Sequence, residues 1–221
     1  MQQLNERIRT RNPLPEDLRD STAGGRLLHP DSGTQVGFTL RRFPTLKTAL
    51  AEVLLLNRVF PTSPWNRRYR CLDLDYDRAA EAEQPAGACL LVKRAAWRAV
   101  GGFDESFFPL WFEDVDFCRR LRKQGWAIRY QPRARFRHAG AHSLAGLDPA
   151  DRQLYWYRNL LRYFRKQHGA LSALALRIGI FFGMLLRMAA GALGFAGEPG
   201  GRPVPPGAYA RVIRRCVFGG E

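Results

Sequence analysis

The sequence has few cysteines, and no two of them form a Cys-x-x-Cys pair. The four, Cys71, Cys89, Cys118 and Cys216, are widely separated among the 221 residues. This spacing indicates neither a zinc site nor a disulfide framework. It fits a reducing compartment, so we expect a cytoplasmic location.

Acidic residues are also scarce. The 20 Asp and Glu face 35 Lys and Arg, which gives a formal net charge of +15 and favours an anionic partner such as nucleic acid, acidic lipid or a phosphorylated substrate. The arginines are spread through predicted helices and no nucleic-acid motif organises them, so we expect no nucleic-acid partner. The first residues lack the apolar core of a secretory signal peptide.

What the sequence does contain is a globular composition, with 46% hydrophobic and 12% aromatic residues. Residues 1–24 are polar and are expected to be a poorly ordered lead-in. Apolar spacing predicts a helix over 45–58, and the apolar run 88–92 predicts a buried strand. A short helix over 95–100 should end at Gly101 and Gly102.

An acidic, aromatic-rich turn precedes a predicted helix over 113–124. Glu113 and Asp114 open this helix, a place where a carboxylate can be held ionised and aimed at a substrate. Asp116 lies four residues before Arg120, so we expect an ion pair between them. Gly125 is the predicted stop.

Two short strands, 126–130 and 134–138, are predicted on either side of Pro132, and the second ends at His138. A long helix follows from 148 or 149 to about 166. It carries apolar residues on one face and Arg152, Arg158, Arg162 and Arg165 on the other.

The segment 170–196 is apolar except for Arg177 and Arg187. A membrane-spanning helix needs roughly 20 apolar residues, and two central arginines would cost several kcal/mol. On a helix the two arginines would lie roughly 80° apart and leave a wide apolar face. A helix lying in the membrane interface is therefore favoured, with a true span and packing against a partner or missing domain as alternatives.

Several segments occur together in one order and spacing. They are Gly87-Ala88-Cys89-Leu90-Leu91-Val92-Lys93-Arg94, Val100-Gly101-Gly102-Phe103-Asp104-Glu105, Phe112-Glu113-Asp114-Val115-Asp116, Gly125-Trp126, Tyr130-Gln131-Pro132 and His138. Over residues 25–165 the sequence resembles the C-terminal half of bacterial family 2 glycosyltransferases, and most of all the rhamnosyltransferase-like subgroup.

The resemblance implies an α/β fold, an incomplete GT-A (Rossmann-like) fold that lacks the N-terminal nucleotide-binding units and is followed by C-terminal helices. Residues 25–147 would form the acceptor and catalytic half, 148–169 a basic amphipathic helix, 170–197 an apolar, membrane-interfacial helix and 198–221 a Pro/Gly-rich basic tail. Such enzymes generally invert the anomeric carbon of a nucleotide-sugar by direct displacement.

The resemblance also implies roles for individual residues. Asp114 matches the base and Glu113 would support it, while the alternative is that both merely complement the helix N-terminus. His138 matches a metal ligand, although a histidine at a strand end can simply cap a turn. The expected substrate-binding residues are Gly87, Ala88, Gly101 and Gly102, each of which could be only a turn former, and Trp111 as a stacking surface for a sugar.

A divalent metal, Mn²⁺ or Mg²⁺, is the implied cofactor, and its Asp-x-Asp pair would lie upstream of residue 25, where nothing resembles it. The acidic segment from Asp73 to Asp77 imitates that pair but falls too late in the chain. We therefore expect a truncated or split enzyme, with a separate chain as one source of the nucleotide-binding half.

The expected partners are a nucleotide-sugar donor, a glycan or lipid-linked acceptor, and the membrane surface at the inner face of the cell membrane. The alternative is a noncatalytic membrane-surface or partner-binding remnant of such an enzyme.

Overall fold

The computed structural model describes residues 22–139, 146–193 and 204–219. Within them the chain forms two units, each assembled from separate stretches of sequence. The sheet unit contains the residues up to Arg41, Asp75–Gly102 and Cys118–His138. The helical unit contains Arg42–Leu74, Phe103–Phe117 and the residues from Ala139 onward. Residues 1–21, which include most of the expected lead-in, and residues 140–145, 194–203 and 220–221 lie outside the described residues.

Six strands are described, and in chain order they are β1 Thr22–Leu28, β2 Leu40–Arg41, β3 Ala80–Glu81, β4 Gln84–Pro85, β5 Leu90–Leu91 and β6 Ile128–Arg137. Four of them form one sheet in the order β3-β6-β1-β5, in which only β1 and β6 are parallel. Strands β2 and β4 form a separate antiparallel pair.

Eight α-helices are described: α1 Leu46–Val53, α2 Leu56–Val59, α3 Pro64–Tyr69, α4 Arg94–Val100, α5 Glu113–Lys123, α6 Pro149–His168, α7 Ala170–Ala192 and α8 Pro206–Val212. Short 3₁₀ turns cover Gly87–Cys89 and Glu105–Phe107, and a π-helical turn covers Ile213–Phe218. The chain is therefore a mixed α/β protein, as predicted.

The centre of the sheet depends on glycines in β1. A Cβ at Gly24 would lie 2.3 Å from the Cβ of Pro85, and one at Gly25 would lie 2.6 Å from the carbonyl oxygen of Ala134. Strand β6 is continuous where two short strands were predicted. Pro132 lies where the register shifts, since Gly25 pairs with Gln131 and the next residue pairs with Arg135. The prediction was wrong because a bulge accommodates the proline within one strand.

The run 88–92 is not the predicted buried strand. It divides into a 3₁₀ turn and the two-residue strand β5, and the side chain of Leu91 is 55% exposed. Hydrophobicity alone could not distinguish this edge position from a core strand. In contrast, α4 ends as predicted, with Gly101 in the left-handed region at φ 75°.

The helical unit has one apolar core around α6. It combines buried residues of α6 with Ala49 and Val53 of α1, Leu176, Ile180 and Met184 of α7, and the C-terminal Val212 and Cys216. The predicted long helices are confirmed as α6 and α7. The single helix predicted over 45–58 is instead broken into α1 and α2, because Leu55 adopts a left-handed conformation at φ 63°.

Candidate active site

The acidic turn predicted from the sequence belongs to the helical unit. Trp111 and Phe112 precede α5 directly and both have left-handed backbone, with φ 69° and 71°. Bulky side chains rarely adopt this conformation, and consecutive examples persist only where the surroundings hold them. The first turn of α5 then presents Glu113 and Asp114.

The two carboxyl groups at the start of α5 have different surroundings. Asp114 is half-buried and its Oδ1 accepts a hydrogen bond from the backbone N–H of Val115 at 2.8 Å. Oε2 of Glu113 is buried without a hydrogen-bond partner among the described residues. Burial, reinforced by the negative charge of Asp114, raises the pKa of Glu113. Glu113 therefore holds a proton more readily than an ordinary glutamate does.

Helix α6 binds the turn through Asn159, whose side chain is fully buried. Its Nδ2 lies 2.6 Å from the carbonyl oxygen of Phe107, 2.8 Å from that of Leu110 and 3.3 Å from that of Trp111. One amide group thus serves three carbonyls of the strained segment. Oδ1 of Asn159 accepts a hydrogen bond from Arg162 at 2.9 Å.

The arginines that flank Asn159 also contact this segment. Arg158 donates to the carbonyl oxygen of Phe108 at 2.8 Å, and Arg162 donates to that of Ser106. The face of α6 predicted as basic is therefore partly a binding face for the backbone that leads to Glu113.

Further along α6, Lys166 joins two acidic residues. Its Nζ lies 2.6 Å from Oδ2 of Asp104 and 2.8 Å from Oδ2 of Asp116, and Nε2 of Gln167 lies 2.6 Å from the other oxygen of Asp116. Asp116 is 0% exposed, so its charge needs these partners. Lys166 and Gln167 supply these partners, and the pair expected between Asp116 and Arg120 stays a prediction.

Asp104 responds to this network as well. Burial by itself would raise the pKa of its carboxyl group, but hydrogen bonds from Lys166 and Ser106, with the charge of Lys166, lower it to about 2. The carboxylate is therefore ionised throughout the neutral range.

The other predicted site residues lie in the sheet unit. Gly87 and Ala88 are exposed in a 3₁₀ turn. Gly101 and Gly102 both have left-handed backbone, and a Cβ at Gly102 would lie 2.7 Å from the Trp97 ring. Turn formation and close packing account for these two glycines, and a role in lining a cleft stays a prediction. The structure places Asp114, Glu113 and Trp111 in the other unit.

His138 ends β6 in a packed position. Its backbone N–H donates to the carbonyl oxygen of Leu28 at 2.9 Å, and its ring makes an edge contact with Phe38 at 5.7 Å between centroids. These contacts favour the structural alternative for this histidine. Its role as a metal ligand stays a prediction.

The described side chains do not by themselves form a site for a divalent cation. Within residues 22–139, 146–193 and 204–219, no group of three or more His, Cys, Asp or Glu could hold a metal ion. The acidic segment from Asp73 to Asp77, which only imitates the Asp-x-Asp pair, forms ion pairs instead. Asp73 binds Arg42 at 2.7 Å, and Asp77 binds Arg26 at 2.7 Å. No reaction step is therefore assigned to a metal held by these side chains.

Sequence reasoning missed Asn159 and Lys166. A weak signal exists, because residues seven apart on a helix lie on the same side. Here both residues lie on the side opposite the predicted apolar face of α6. Asn159 also differs from the arginines of that face in having a much shorter side chain. Nothing in this pattern identifies the carbonyls or carboxylates that they bind.

Comparison with known proteins supports the resemblance. Residues 51–159 match the family model described as "Glycosyltransferase like family 2". Two sequences from Mycobacterium tuberculosis, strains CDC 1551 / Oshkosh and ATCC 25618 / H37Rv, are named N-acetylglucosaminyl-diphospho-decaprenol L-rhamnosyltransferase. Each is 38% identical over 128 residues, which cover 49% of this chain and 39% of the relative.

A third match, Uncharacterized protein y4gI of Sinorhizobium fredii, is 32% identical over 73 residues, 33% of this chain and 8% of that protein. The chain thus spans about two fifths of the length of the rhamnosyltransferases that it matches. The matched segment contains Trp111, Glu113 and Asp114 and ends at Asn159, and Lys166 lies beyond it. The predicted resemblance to family 2 glycosyltransferases is confirmed.

Proposed function

We propose, from the match of residues 51–159 to family 2 glycosyltransferases, that this chain supplies the catalytic, acceptor-side half of a sugar transferase. The observation that carries the proposal is the pair Glu113 and Asp114, presented on a strained turn that α6 binds at several points. This pair lies inside the matched segment.

The chemistry assigned to the pair is general-base catalysis. Asp114, as the ionised member, removes the proton from an acceptor hydroxyl while the hydroxyl oxygen attacks the anomeric carbon of a nucleotide-sugar. The bond from that carbon to the diphosphate oxygen breaks, the nucleoside diphosphate departs with the electron pair, and the proton stays on Asp114. Direct displacement of this kind inverts the anomeric carbon.

Glu113 assists in a specific way. Because burial raises the pKa of Glu113, a second negative charge next to Asp114 is disfavoured. The two carboxyl groups can therefore share one proton without strong repulsion between them. Trp111 lies two residues before Glu113, half-buried and packed against the core of the helical unit, and we propose that the exposed part of its ring binds a sugar.

The substrate classes follow from the relatives' names alone. Those names describe transfer of L-rhamnosyl to an N-acetylglucosaminyl-diphospho-decaprenol. We propose a similar nucleotide-linked deoxysugar as donor and a lipid-linked glycan as acceptor for this chain. The donor's nucleotide would be bound by a half that lies outside residues 22–219, in the same or a separate chain.

The test of the base is a matched pair of variants. The chain, alone and together with the nucleotide-binding half, is incubated with nucleotide-sugars, a lipid-linked glycan acceptor and Mn²⁺, and release of nucleoside diphosphate is measured with wild type, Asp114→Asn and Asp73→Asn. Asp73 is a carboxylate of the same unit that pairs with Arg42, so it serves as the control. We expect Asp114→Asn alone to lose about 10²-fold or more of the rate. Equal rates in the two variants would exclude Asp114 as the base, and no nucleotide binding at millimolar ligand would exclude the chain as an enzyme by itself.

A second proposal, attachment to a membrane surface, rests on α7. Its exposed side is a continuous row of large apolar side chains, the apolar stripe, in which Leu171 is 84% exposed. The stripe consists of Leu171, Leu174, Ile178, Phe182, Leu185, Leu186 and Leu193. The helix is long and apolar enough to cross a membrane by length and composition. Its opposite side is buried in the core of the helical unit.

The two arginines of α7 do not interrupt the apolar stripe. Arg187 donates to the carbonyl oxygens of Val53 and Glu52 at the end of α1, and its guanidinium lies 5.9 Å from the ring centroid of Tyr157. The charge of Arg177 acts on the buried thiol of Cys216. Arg187 is thus directed toward protein rather than along the stripe.

Lying in the interface is favoured over crossing the bilayer. One side of α7 packs on α1 and α6, and α6 carries many charged side chains that hydrocarbon would exclude. An interfacial helix needs only its apolar stripe in the lipid. The net charge of +15 adds attraction to anionic headgroups.

Vesicle binding tests this proposal. Phe182→Glu is compared with Phe60→Glu, which changes a 57% exposed phenylalanine of the same unit outside the stripe. Sedimentation with vesicles of phosphatidylcholine containing 30% phosphatidylglycerol should fall about tenfold or more for Phe182→Glu only. A Phe182→Trp variant should show blue-shifted emission on binding. Equal binding of both Glu variants, or no binding by wild type, would refute membrane attachment through α7.

A further inference from the structure

Helix α6 holds the acidic turn at both ends. Before α5, Asn159 binds the carbonyls of Phe107, Leu110 and Trp111. After the start of α5, Lys166 and its neighbour Gln167 bind Asp116. The carboxyl groups of Glu113 and Asp114 lie between these two attachment points in the sequence.

The attachment is more specific than core packing requires. An apolar face on α6 would bury the same area without any polar group, whereas here a fully buried amide and a fully buried carboxylate are matched to partners. Buried polar groups stabilise only when they are paired, but their directional bonds fix one backbone arrangement. The arrangement fixed here is the left-handed backbone of Trp111 and Phe112, which unpaired chain would not keep.

Lys166 extends the attachment to a second segment. Its Nζ also binds Asp104, three residues before Phe107, and lies 5.7 Å from the centroid of the Phe107 ring. One ammonium group therefore links the start of the turn to the first turns of α5.

We propose that Asn159 and Lys166 are positioning residues, which hold the segment 104–116 so that the carboxyl groups of Glu113 and Asp114 keep a fixed orientation. The proposal rests on the proposed function only in the reason for this fixed orientation, which is to present the carboxyl groups to a substrate. It extends the functional unit beyond the segment 51–159, which matches the family model, to Lys166.

The experiment uses the whole chain and four variants. Asn159→Leu removes the amide at similar volume, Lys166→Met removes the ammonium group, and Lys166→Arg keeps the charge. Asp151→Asn is the matched control. Asp151 lies on the same helix as Asn159 and Lys166, and the substitution breaks its ion pair with Arg211, far along the chain from the turn. Amide hydrogen exchange of peptides from 104–117 is measured, with peptides from 176–187 as an internal reference.

Amide exchange of peptides from 104–117 should be about tenfold faster in Asn159→Leu and Lys166→Met. In these variants the segment can open without breaking the bonds that the native side chain makes, so opening costs less free energy. It should be close to wild type in Lys166→Arg and Asp151→Asn, and the reference peptides should not change in any variant. Unchanged exchange in both Asn159→Leu and Lys166→Met would overturn the proposal. Equal acceleration in the reference peptides would also overturn it, because the two residues would then only stabilise the core.

Titration of Glu113 provides a measurement that a change in overall stability alone would not alter. Carbon-detected NMR follows the carboxyl group of Glu113, whose pKa is raised by burial in the positioned turn. Loss of positioning exposes this group, so its pKa should fall toward the usual range in Asn159→Leu and Lys166→Met but not in Asp151→Asn. A pKa that stays raised in the two variants would contradict positioning. These measurements need no sugar transfer, so they separate failure of the positioning from failure of the proposed function.

Discussion

Replacing Gly183 by alanine should destabilise the helical unit, although alanine favours helices. In the native arrangement a Cβ at Gly183 would lie 2.1 Å from the carbonyl oxygen of Val53, where about 3.3 Å is the normal contact. Helices α7 and α1 would have to separate by roughly 1 Å. The same carbonyl accepts the hydrogen bond of Arg187, which would be lost.

The magnitude follows from three effects. Overpacking against rigid backbone costs about 1–3 kcal/mol, and losing a hydrogen bond from a charged donor costs about 1.5–3 kcal/mol. The better helix propensity of alanine returns about 1 kcal/mol. We expect a net loss of about 1.5–5 kcal/mol, which corresponds to a midpoint lower by about 3–20 °C for a chain of this size.

Gly179→Ala is the matched control, one turn earlier on the same helix. Its Cβ would lie 2.5 Å from Cδ2 of Leu50, the movable end of a flexible side chain. This variant should be neutral or slightly more stable. Thermal unfolding followed by circular dichroism at 222 nm compares the two. If Gly183→Ala unfolds at the same temperature as Gly179→Ala, the backbone contact between α1 and α7 is not as close as described.

Three further outcomes are expected. Asp104, whose pKa is lowered from 3.8 to about 2, contributes stability above its unfolded pKa that disappears as the pH falls from about 4 to 2, and Asp104→Asn should remove this part of the acid transition in urea unfolding. The Cys216 thiol, whose pKa burial raises to about 11 despite Arg158 and Arg177, should resist iodoacetamide at pH 8 until the chain is unfolded. Gly102→Ala should lower the unfolding midpoint more than Gly101→Ala, because only Gly102 adjoins the Trp97 ring.

Much of the helical unit could be predicted from the sequence. Helices α6 and α7 follow from long periodic patterns, with Asp148 as the N-cap of α6. These signals are local, so a single sequence contains them. The break at Leu55 and the exposure of Leu91 are not local, because the rest of the fold decides them.

The candidate site could be predicted only in part. Glu113 and Asp114 stand out as carboxylates at the start of a helix, and the resemblance identifies them as base and support. Their attachment to Asn159 and Lys166 joins residues about fifty positions apart, and no periodicity connects such residues. For Arg187, sequence reasoning counted a charge against a membrane-spanning helix, whereas the structure directs that charge into the protein.

The assembly of the helical unit from separate stretches of sequence has a consequence for how the chain is made. Asp116 and Lys166 are separated by 50 positions, so the ribosome releases the acidic turn well before the helix that binds it. At about 5–20 residues per second, the turn waits roughly 3–10 s. During that time Asp116 is hydrated and the segment before it is free to leave its left-handed backbone. The carboxyl pair acquires its final form only when synthesis has passed α6, so a nascent chain carries the proposed base without the means to orient it.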